Sequence, residues 1–414
     1  MTGPPSNFPC SFAENKRRSD IATLTKRNLD YPSSQESGAS PKGRPPQQGT
    51  WAASNRVPVE LTRIRSARNI LTSPGVQSSP DCAASRHSDR QRFRKGRIGI
   101  QEVIVETTLR HNGRYEGYIH LASAVAPMRT AVVHPCSADT LRSAVELKAQ
   151  GLLAPVLVGP ERKIRAIADA AGLLLDDIEI VPVEHSHAAA ERGAALACEG
   201  EVAALMKGSL HTDELLSAVM ALARLRTERR MSHVYVMDIP LYDRLLVVTD
   251  AAINIQPDLD QKRDICQNAV DLLRSLGIGK PRVAVLAAVE TVNSKMQATL
   301  DAAALTVMAA RGQINGAVVD GPLAFDNAIS AEAARAKSIV SPVAGQADIL
   351  LVPDLEAGNM LAKQLIYFAG ADAAGLVLGA RVPIIVTSRA DPLKVRTASA
   401  ALAKLLAAAR SDSP

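Results

Sequence analysis

From residue 129 onward the chain alternates between short apolar runs and stretches with helical spacing of apolar positions. The run at 130–134 is β-branched and predicts a strand, and a 3.6-residue period over 139–149 predicts a helix after it. A second strand is expected at 155–159 and a second helix at 161–171. Further strands are expected at 179–183, 202–206, 234–237 and 245–248. A second series follows at 283–286, 317–319, 349–352, 375–378 and 384–386, with Ala- and Leu-rich helices between several of these strands. Near-continuous apolar strands separated by helices are what sheets covered on both faces require, so the fold class is α/β. The last helix places Val395, Ala398, Leu402, Leu405 and Ala409 on one apolar face. Nothing recurs at a fixed period, which excludes a solenoid.

The first hundred residues lack this pattern. They are rich in Ser, Pro and Arg, as in Pro41-Lys-Gly-Arg-Pro-Pro, and cannot bury enough surface to offset the entropy of ordering. Residues 1–127 are therefore expected to be a mostly disordered basic extension, with the functional chain beginning near Met128. A transit peptide is a weaker alternative, because no convincing amphipathic helix opens the segment. Residues 98–122 contain some alternating Ile and Val but yield no assignment.

Charge sharpens this division. The chain carries a formal +6, yet residues 1–100 hold 17 basic and 7 acidic residues against 31 and 35 in the remainder. The basic character belongs to the leader, whose charge comes with no recognisable nucleic-acid-binding domain. Cys10, Cys82, Cys136, Cys198 and Cys266 form no metal-ligand spacing and suit reduced thiols in the cytoplasm. No apolar run approaches the length of a membrane span, and no metal site is expected.

Five local sequences carry candidate chemistry. Thr387-Ser-Arg-Ala-Asp-Pro392 lies between a strand and a helix start, where free N–H groups and the helix dipole favour an anion. Arg389 adds a bidentate cation for phosphate. Asp391 reads either as an N-cap ahead of Pro392 or as a general base. Lys207-Gly-Ser-Leu-His-Thr212 follows a strand and reads either as an anion cradle, through Lys207, Ser209 and Thr212, or as a hydroxyl-capped helix. Arg226, Arg229 and Arg230 form either a solvated charge run or an anion-recognising cluster. Asp320-Gly-Pro-Leu-Ala-Phe-Asp-Asn327 leaves a strand end, where open α/β sheets place ligands; the alternative is a simple turn with Asp326 capping the next helix. Asp354-Leu-Glu-Ala-Gly-Asn359 leaves another, and its Gly358 implies close approach of a ligand or of neighbouring backbone.

In order along the chain, the Lys207, Asp250-Ala-Ala-Ile-Asn254, Asp320, Pro353–Asn359 and Thr387–Asp391 motifs resemble the phosphate acetyl/butyryltransferase family over essentially all of 129–409. The resemblance implies two α/β/α domains of isocitrate/isopropylmalate dehydrogenase-like architecture with an interdomain cleft. Residues 128–240 plus 380–414 would build the first domain and 241–379 the second, in a homodimer. It implies a CoA thiolate attacking an acyl phosphate with no metal in the reacting centre, CoA being a substrate and no cofactor permanently bound. Ser388, Arg389 and Asp391 are the implied catalytic residues. Lys207, Ser209, Thr212, Arg229, Asn254, Asp320 and Asn359 are the implied substrate-binding residues. The family's acetyl branch carries its acid several residues beyond the Ser-Arg pair, whereas here the nearest is Asp391, which leaves the base open. Ala251 in place of a Cys, and Leu365-Ile-Tyr-Phe368 in place of an Arg, resemble the butyryl branch. Some relatives are fused to an enoyl-CoA hydratase, but residues 1–127 contain no matching motif. Three other readings compete: a dehydrogenase of isopropylmalate type, a silent ligand sensor on the same scaffold, and a nucleic-acid-binding leader.

Overall fold

The computed structural model describes residues 113–387 and 391–411. The expected disorder of residues 1–112 lies outside these, as do Ser388 and Arg389.

All eleven expected strands form. They are β1 (Met128–Val133), β2 (Leu153–Gly159), β3 (Glu179–Pro182), β4 (Ala204–Lys207), β5 (Ser232–Asp238), β6 (Leu246–Thr249), β7 (Arg282–Leu286), β8 (Val318–Leu323), β9 (Ile349–Leu351), β10 (Asp372–Leu378) and β11 (Ile384–Ile385). They join one sheet in the order β3-β2-β1-β4-β11-β10-β5-β6-β9-β7-β8. The strands from β3 to β11 are mutually parallel, as are those from β6 to β8. Where the two runs meet, β10 pairs antiparallel with both β11 and β5, and β5 antiparallel with β6. Strand β11, near the end of the chain, lies between its sequence neighbour β10 and the distant β4, with which it pairs in parallel.

The helices are α1 (Arg114–Ser123), α2 (Ala138–Ala149), α3 (Glu161–Ala170), α4 (Ser186–Glu199), α5 (Thr212–Ala221), α6 (Leu259–Ser275), α7 (Gln297–Ala310), α8 (Phe325–Ile329), α9 (Ala331–Ala336), α10 (Leu355–Ala369) and α11 (Leu393–Ser411). Among the described residues no helix is long and apolar enough to cross a membrane.

The two faces of the sheet are covered differently. On one face α1, α2, α3, α6, α7 and α11 share a single core that runs from Leu157 and Val132 through Met206 and Leu376 to Val236, Val247 and Val319. On the other face the core is split. One cluster gathers α4 and α5 over β1, β2, β4 and β11, and a second gathers α8 and α10 over β6, β7 and β9. The interruption falls at β10 and β5, near the buried Gly375 and His233 and beside Tyr235, which packs against the second cluster.

Helix α1 corrects the expected start at Met128. Tyr115, Tyr118 and Ala122 are buried at helical spacing, and α1 lies against α11. The Tyr115 hydroxyl shares its proton between the carbonyls of Val236 (2.5 Å) and Asp372 (2.9 Å) and accepts the N–H of Ala374 (3.2 Å). Arg114 pairs with Asp238, and its guanidinium donates to the Tyr242 carbonyl at 2.5 Å. This cover changes α11 as well. In place of a single apolar face, every side chain from Val395 to Leu406 is buried. Lys404 is 2% exposed, and its ammonium donates to the Gly151 carbonyl at 2.9 Å.

Candidate active site

Strands β1, β4 and β11 are parallel neighbours, so their carboxyl ends open on one edge, where helix N-termini and turning backbone can converge on a ligand. After β4 the chain turns at once. Gly208 N–H donates to the Val133 carbonyl (2.9 Å) and Ser209 N–H to that of His134 (2.8 Å), lacing the turn to the end of β1. A Cβ on Gly208 would collide with the Val133 carbonyl and come within 2.6 Å of that of His134. Glycine is therefore required here by backbone contact. The Lys207 ammonium donates to the Leu210 carbonyl at 3.1 Å, and the Ser209 Oγ is buried with no hydrogen-bond partner.

Helix α5 begins at Thr212 after His211, whose side chain makes no capping bond. The hydroxyl-capped helix is thus not formed, and the first-turn N–H groups are left without a side-chain cap. Ser137, Asp139 and Thr140 at the start of α2 complete a recess with Lys207, Gly208, Ser209, Thr387 and Arg396. Arg396 fixes its rim by donating to the carbonyls of Asp391 (3.0 Å) and Asp139 (2.8 Å) and to Ser143. Helix α11 starts at Leu393, and the Pro392 carbonyl accepts from Arg396 N–H (3.3 Å), one residue later than an Asp391 cap would place it. The Tyr235 hydroxyl is pushed above its ordinary pKa, first by burial and then by the charge of Asp391.

A groove lies between α5 and the loop after β6. Thr212, Leu216 and Met220 form one wall, Ile253, Ile255 and Leu355 the other, with Arg230 and Met231 between them. Asp250 builds this loop. Its carboxylate accepts the backbone N–H groups of Ala252 (2.9 Å), Ile253 (3.0 Å) and Asn254 (3.3 Å) and the Asn254 amide (2.5 Å). Asn254 is itself committed to the protein, donating to the Met231 carbonyl (2.9 Å) and accepting from Arg230 Nε (2.8 Å). Its role is to orient Arg230. Asn359 donates to the Ala251 carbonyl at 3.1 Å, and a Cβ on Gly358 would run into the Asp250 carbonyl and lie 2.8 Å from Val352 Cγ2. Of the two explanations for that glycine, neighbouring backbone is the one realised.

The adjacent arginines go different ways. Arg229 pairs with Asp271 on α6 at 2.5 Å and borders openings formed with Arg263, Arg274 and Arg410, away from the groove. Arg230 enters the groove, a distinction that charge clustering alone could not make. Asp320 sits on β8, the terminal strand of the sheet, and its carboxylate accepts the N–H of Gly321 (2.9 Å). Asp326 does not cap the next helix. That cap is Ser330, while Asp326 pairs with Lys337 at 3.3 Å. Lys207, Ser209 and Thr212 thus share one edge with the strand end leading to Ser388 and Arg389, and Asn254 and Asn359 serve the loop that walls the groove. Sequence reasoning had Arg230 only as one of a cluster from which Arg229 was chosen, and it missed Arg396, His233 and Tyr235.

The phosphate acetyl/butaryl transferase family profile matches residues 184–403. A phosphate acetyltransferase of Rhizobium meliloti is 59% identical over 72% of this chain and 94% of its own length. A probable phosphate butyryltransferase of Bacillus subtilis is 46% identical over 66% of this chain and 91% of its own. Among solved structures, a branched-chain phosphotransacylase from Enterococcus faecalis superposes with a TM-score of 0.60 at 27% identity, over 68% of this chain and 99% of that one. With the same α/β fold and a profile match over more than half its length, the chain belongs to the phosphate acetyl/butyryl transferase family.

Proposed function

We propose that the chain exchanges phosphate and CoA on a short acyl group: acyl-CoA and phosphate give acyl phosphate and CoA, and the reverse. The observation that carries this is the recess at the carboxyl ends of β1, β4 and β11. It combines the unpaired, buried Ser209 Oγ, the Lys207 ammonium and an uncapped helix start within reach of the strand that leads into Ser388-Arg389. That is an anion site next to an apolar groove, which suits a phosphate and the pantetheine arm of CoA. In the acyl-phosphate direction the CoA thiol loses its proton to a base, and Asp391 is the nearest acid after Ser388-Arg389. The sulfur lone pair then forms a bond to the carbonyl carbon, and the carbon–oxygen bond to phosphate breaks, phosphate leaving with the electron pair. Arg389 stabilises the charge on the transferring phosphate, and Arg230, held by Asn254, steadies the CoA side.

Acetyl-CoA is the first substrate to test, since the relative at 59% identity is named for acetyl transfer. Ala251 and the 365–368 segment favour a longer acyl chain, and the kcat/KM ratio for acetyl- over butyryl-CoA ranks the two. The interruption of the second-face core supports a two-domain division, 128–240 with 380–414 against 241–379, and a cleft at the break. CoA acts here as substrate, with no cofactor permanently bound, in a cytoplasmic homodimer.

Phosphate-dependent release of CoA from acetyl-CoA by the full chain, followed by thiol titration, tests the proposal. Arg389→Ala is expected to lower kcat/KM about 100-fold, the cost of one lost charge-stabilising contact, with an unchanged melting temperature. No release from a folded full-length chain, with either acyl-CoA, would sink the assignment.

Helix α10 supports the homodimer. Only Gly358 and Ala362 along it are buried, while Met360, Tyr367 and Phe368 are 58%, 76% and 90% exposed. An apolar helix face this open is costly in a monomer. Phe368→Asp is expected to convert a dimer, measured by light scattering, into a monomer with an intact circular dichroism spectrum. A monomeric wild type would refute the pairing.

A further inference from the structure

His233 is 1% exposed, yet no hydrogen bond reaches its Nδ1, which is fully buried. It stands on β5 where the second-face core is interrupted. Its ring meets Tyr235 edge-on, with centroids 4.5 Å apart. Across the sheet, Tyr235 pairs with Gly375 of β10. The Nε2 of His233 lies 3.4 Å from the point a Cβ on Gly375 would occupy, and the Val386 carbonyl lies on the same side. Val386 N–H donates to the Gly375 carbonyl at 3.2 Å. The missing side chain thus lets the chain leaving β11 pass over β10 toward His233, two residues before Ser388. The charge of Asp391 also acts on Tyr235.

The unpaired nitrogen fixes the tautomer. A neutral imidazole has one N–H and one lone pair, and a buried acceptor left unpaired costs less than a buried donor left unpaired. The proton therefore belongs on Nε2, the nitrogen on the side of Gly375 and the Val386 carbonyl. Burial pushes His233 down to about 4, against the opposing pull of Asp250, so the ring is neutral at physiological pH. A neutral imidazole that cannot readily gain a second proton is a poor base, but it is a fixed dipole with an N–H to donate.

We propose, building on the acyl-transfer function above, that His233 is a further catalytic residue whose Nε2–H donates to the carbonyl oxygen of the transferred acyl group. As the thiolate sulfur adds to the carbonyl carbon, the carbonyl electron pair moves onto oxygen and meets this donor. The pair then returns, and the bond to phosphate breaks with its electrons leaving on phosphate. His233 keeps its proton throughout.

The test compares full-length wild type with His233→Gln and His233→Leu. Gln carries a neutral N–H to nearly the place of Nε2, so its kcat is expected within about 10-fold of wild type, whereas Leu is expected to lose about 100- to 1,000-fold, the usual cost of one such donor. The KM values for CoA and phosphate are expected to move less than about 3-fold in both, since the donor acts on developing charge. Long-range ¹H–¹⁵N spectra of wild type, assigned by the resonance lost in His233→Gln, are expected to show one histidine protonated at Nε2 and unchanged from pH 5.5 to 8. Leu retaining wild-type kcat, Gln falling as far as Leu, an effect confined to KM, or a histidine protonated at Nδ1 would each overturn the role. Should the Leu variant fail to fold, the Gln kinetics and the wild-type spectrum decide it. A wild type that releases no CoA refutes the acyl-transfer function itself, while losses confined to the variants concern His233 alone.

Discussion

A chain beginning at Met128 is expected to melt at least about 10 °C below the full-length protein, or to fail to fold, because it lacks α1. Removing that helix takes away the buried Tyr115, Tyr118 and Ala122 and uncovers the outer side of α11, whose side chains from Val395 to Leu406 are all buried. Two fully buried aromatic side chains represent roughly 2–3 kcal/mol each, and a domain's whole stability is about 5–15 kcal/mol. The Tyr115 hydroxyl also leaves the Val236 and Asp372 carbonyls and the Ala374 N–H without their partner, inside the sheet at the β5–β10 pair. Unsatisfied buried groups of this kind add about 1–3 kcal/mol apiece. Thermal melts of chains starting at Ser88, Asn112 and Met128 check the expectation. The first two should agree, and the third should stand apart. Three coincident melts would show α1 to be an ornament. The site feels the same loss, since α11 holds Arg396 and hence the rim of the anion recess.

Gly208→Ala is expected to abolish measurable transfer while also lowering stability. The new methyl group would meet two backbone carbonyls, neither of which can rotate away as a side chain tip would. Relief requires the turn after β4 to lift from β1, breaking the Gly208 and Ser209 bonds to Val133 and His134. Overpacking of this kind costs about 1–3 kcal/mol, and displacing a catalytic or binding group by about 1 Å costs on the order of 100-fold in rate. Lys207 and Ser209 flank the substitution on both sides, so both move. Melting temperature and kcat/KM for acetyl-CoA measured on one preparation separate the effects. The activity loss should persist at temperatures where the variant is fully folded. A variant with wild-type kcat/KM would show that the recess does not hold the reacting phosphate.

The strands were legible because parallel strands buried on both faces write themselves as continuous apolar runs. Even β11, only Ile384–Ile385, is announced by a β-branched segment ahead of Thr387. Their assembly was not legible. A period-2 or apolar run says that a strand exists, but not that β11 returns beside β4 or that β10 runs against both its neighbours. Helix α1 was missed although Tyr115, Tyr118, Ile119 and Ala122 carry the i, i+3, i+4, i+7 spacing, because a basic, core-poor stretch precedes it and its apolar partner lies some 280 residues away on α11. At the site, residue types were readable but allegiances were not. Asn254 and Asp250 have the composition of ligand-binding groups and spend their hydrogen bonds on each other, Arg230 and the Met231 carbonyl. Arg229 and Arg230 are chemically identical neighbours that only the fold sends to different partners. His233 gave no signal, since its proposed role is read from a buried Nδ1 that has no hydrogen-bond partner.

The late arrival of β11 has a consequence for synthesis on the ribosome. Strands β1 to β4 are complete by Lys207, but the strand that flanks β4 and the helix that lies over it are translated some 180 residues later. Until then the nascent chain presents an unpaired parallel edge and the bare apolar surface that α11 will cover, both of which invite association with other chains. A C-terminal nick or premature stop that removes only the last thirty residues would leave that edge open permanently. Such a product is expected to aggregate or be degraded, although it would still contain every strand of the sheet from β1 to β10.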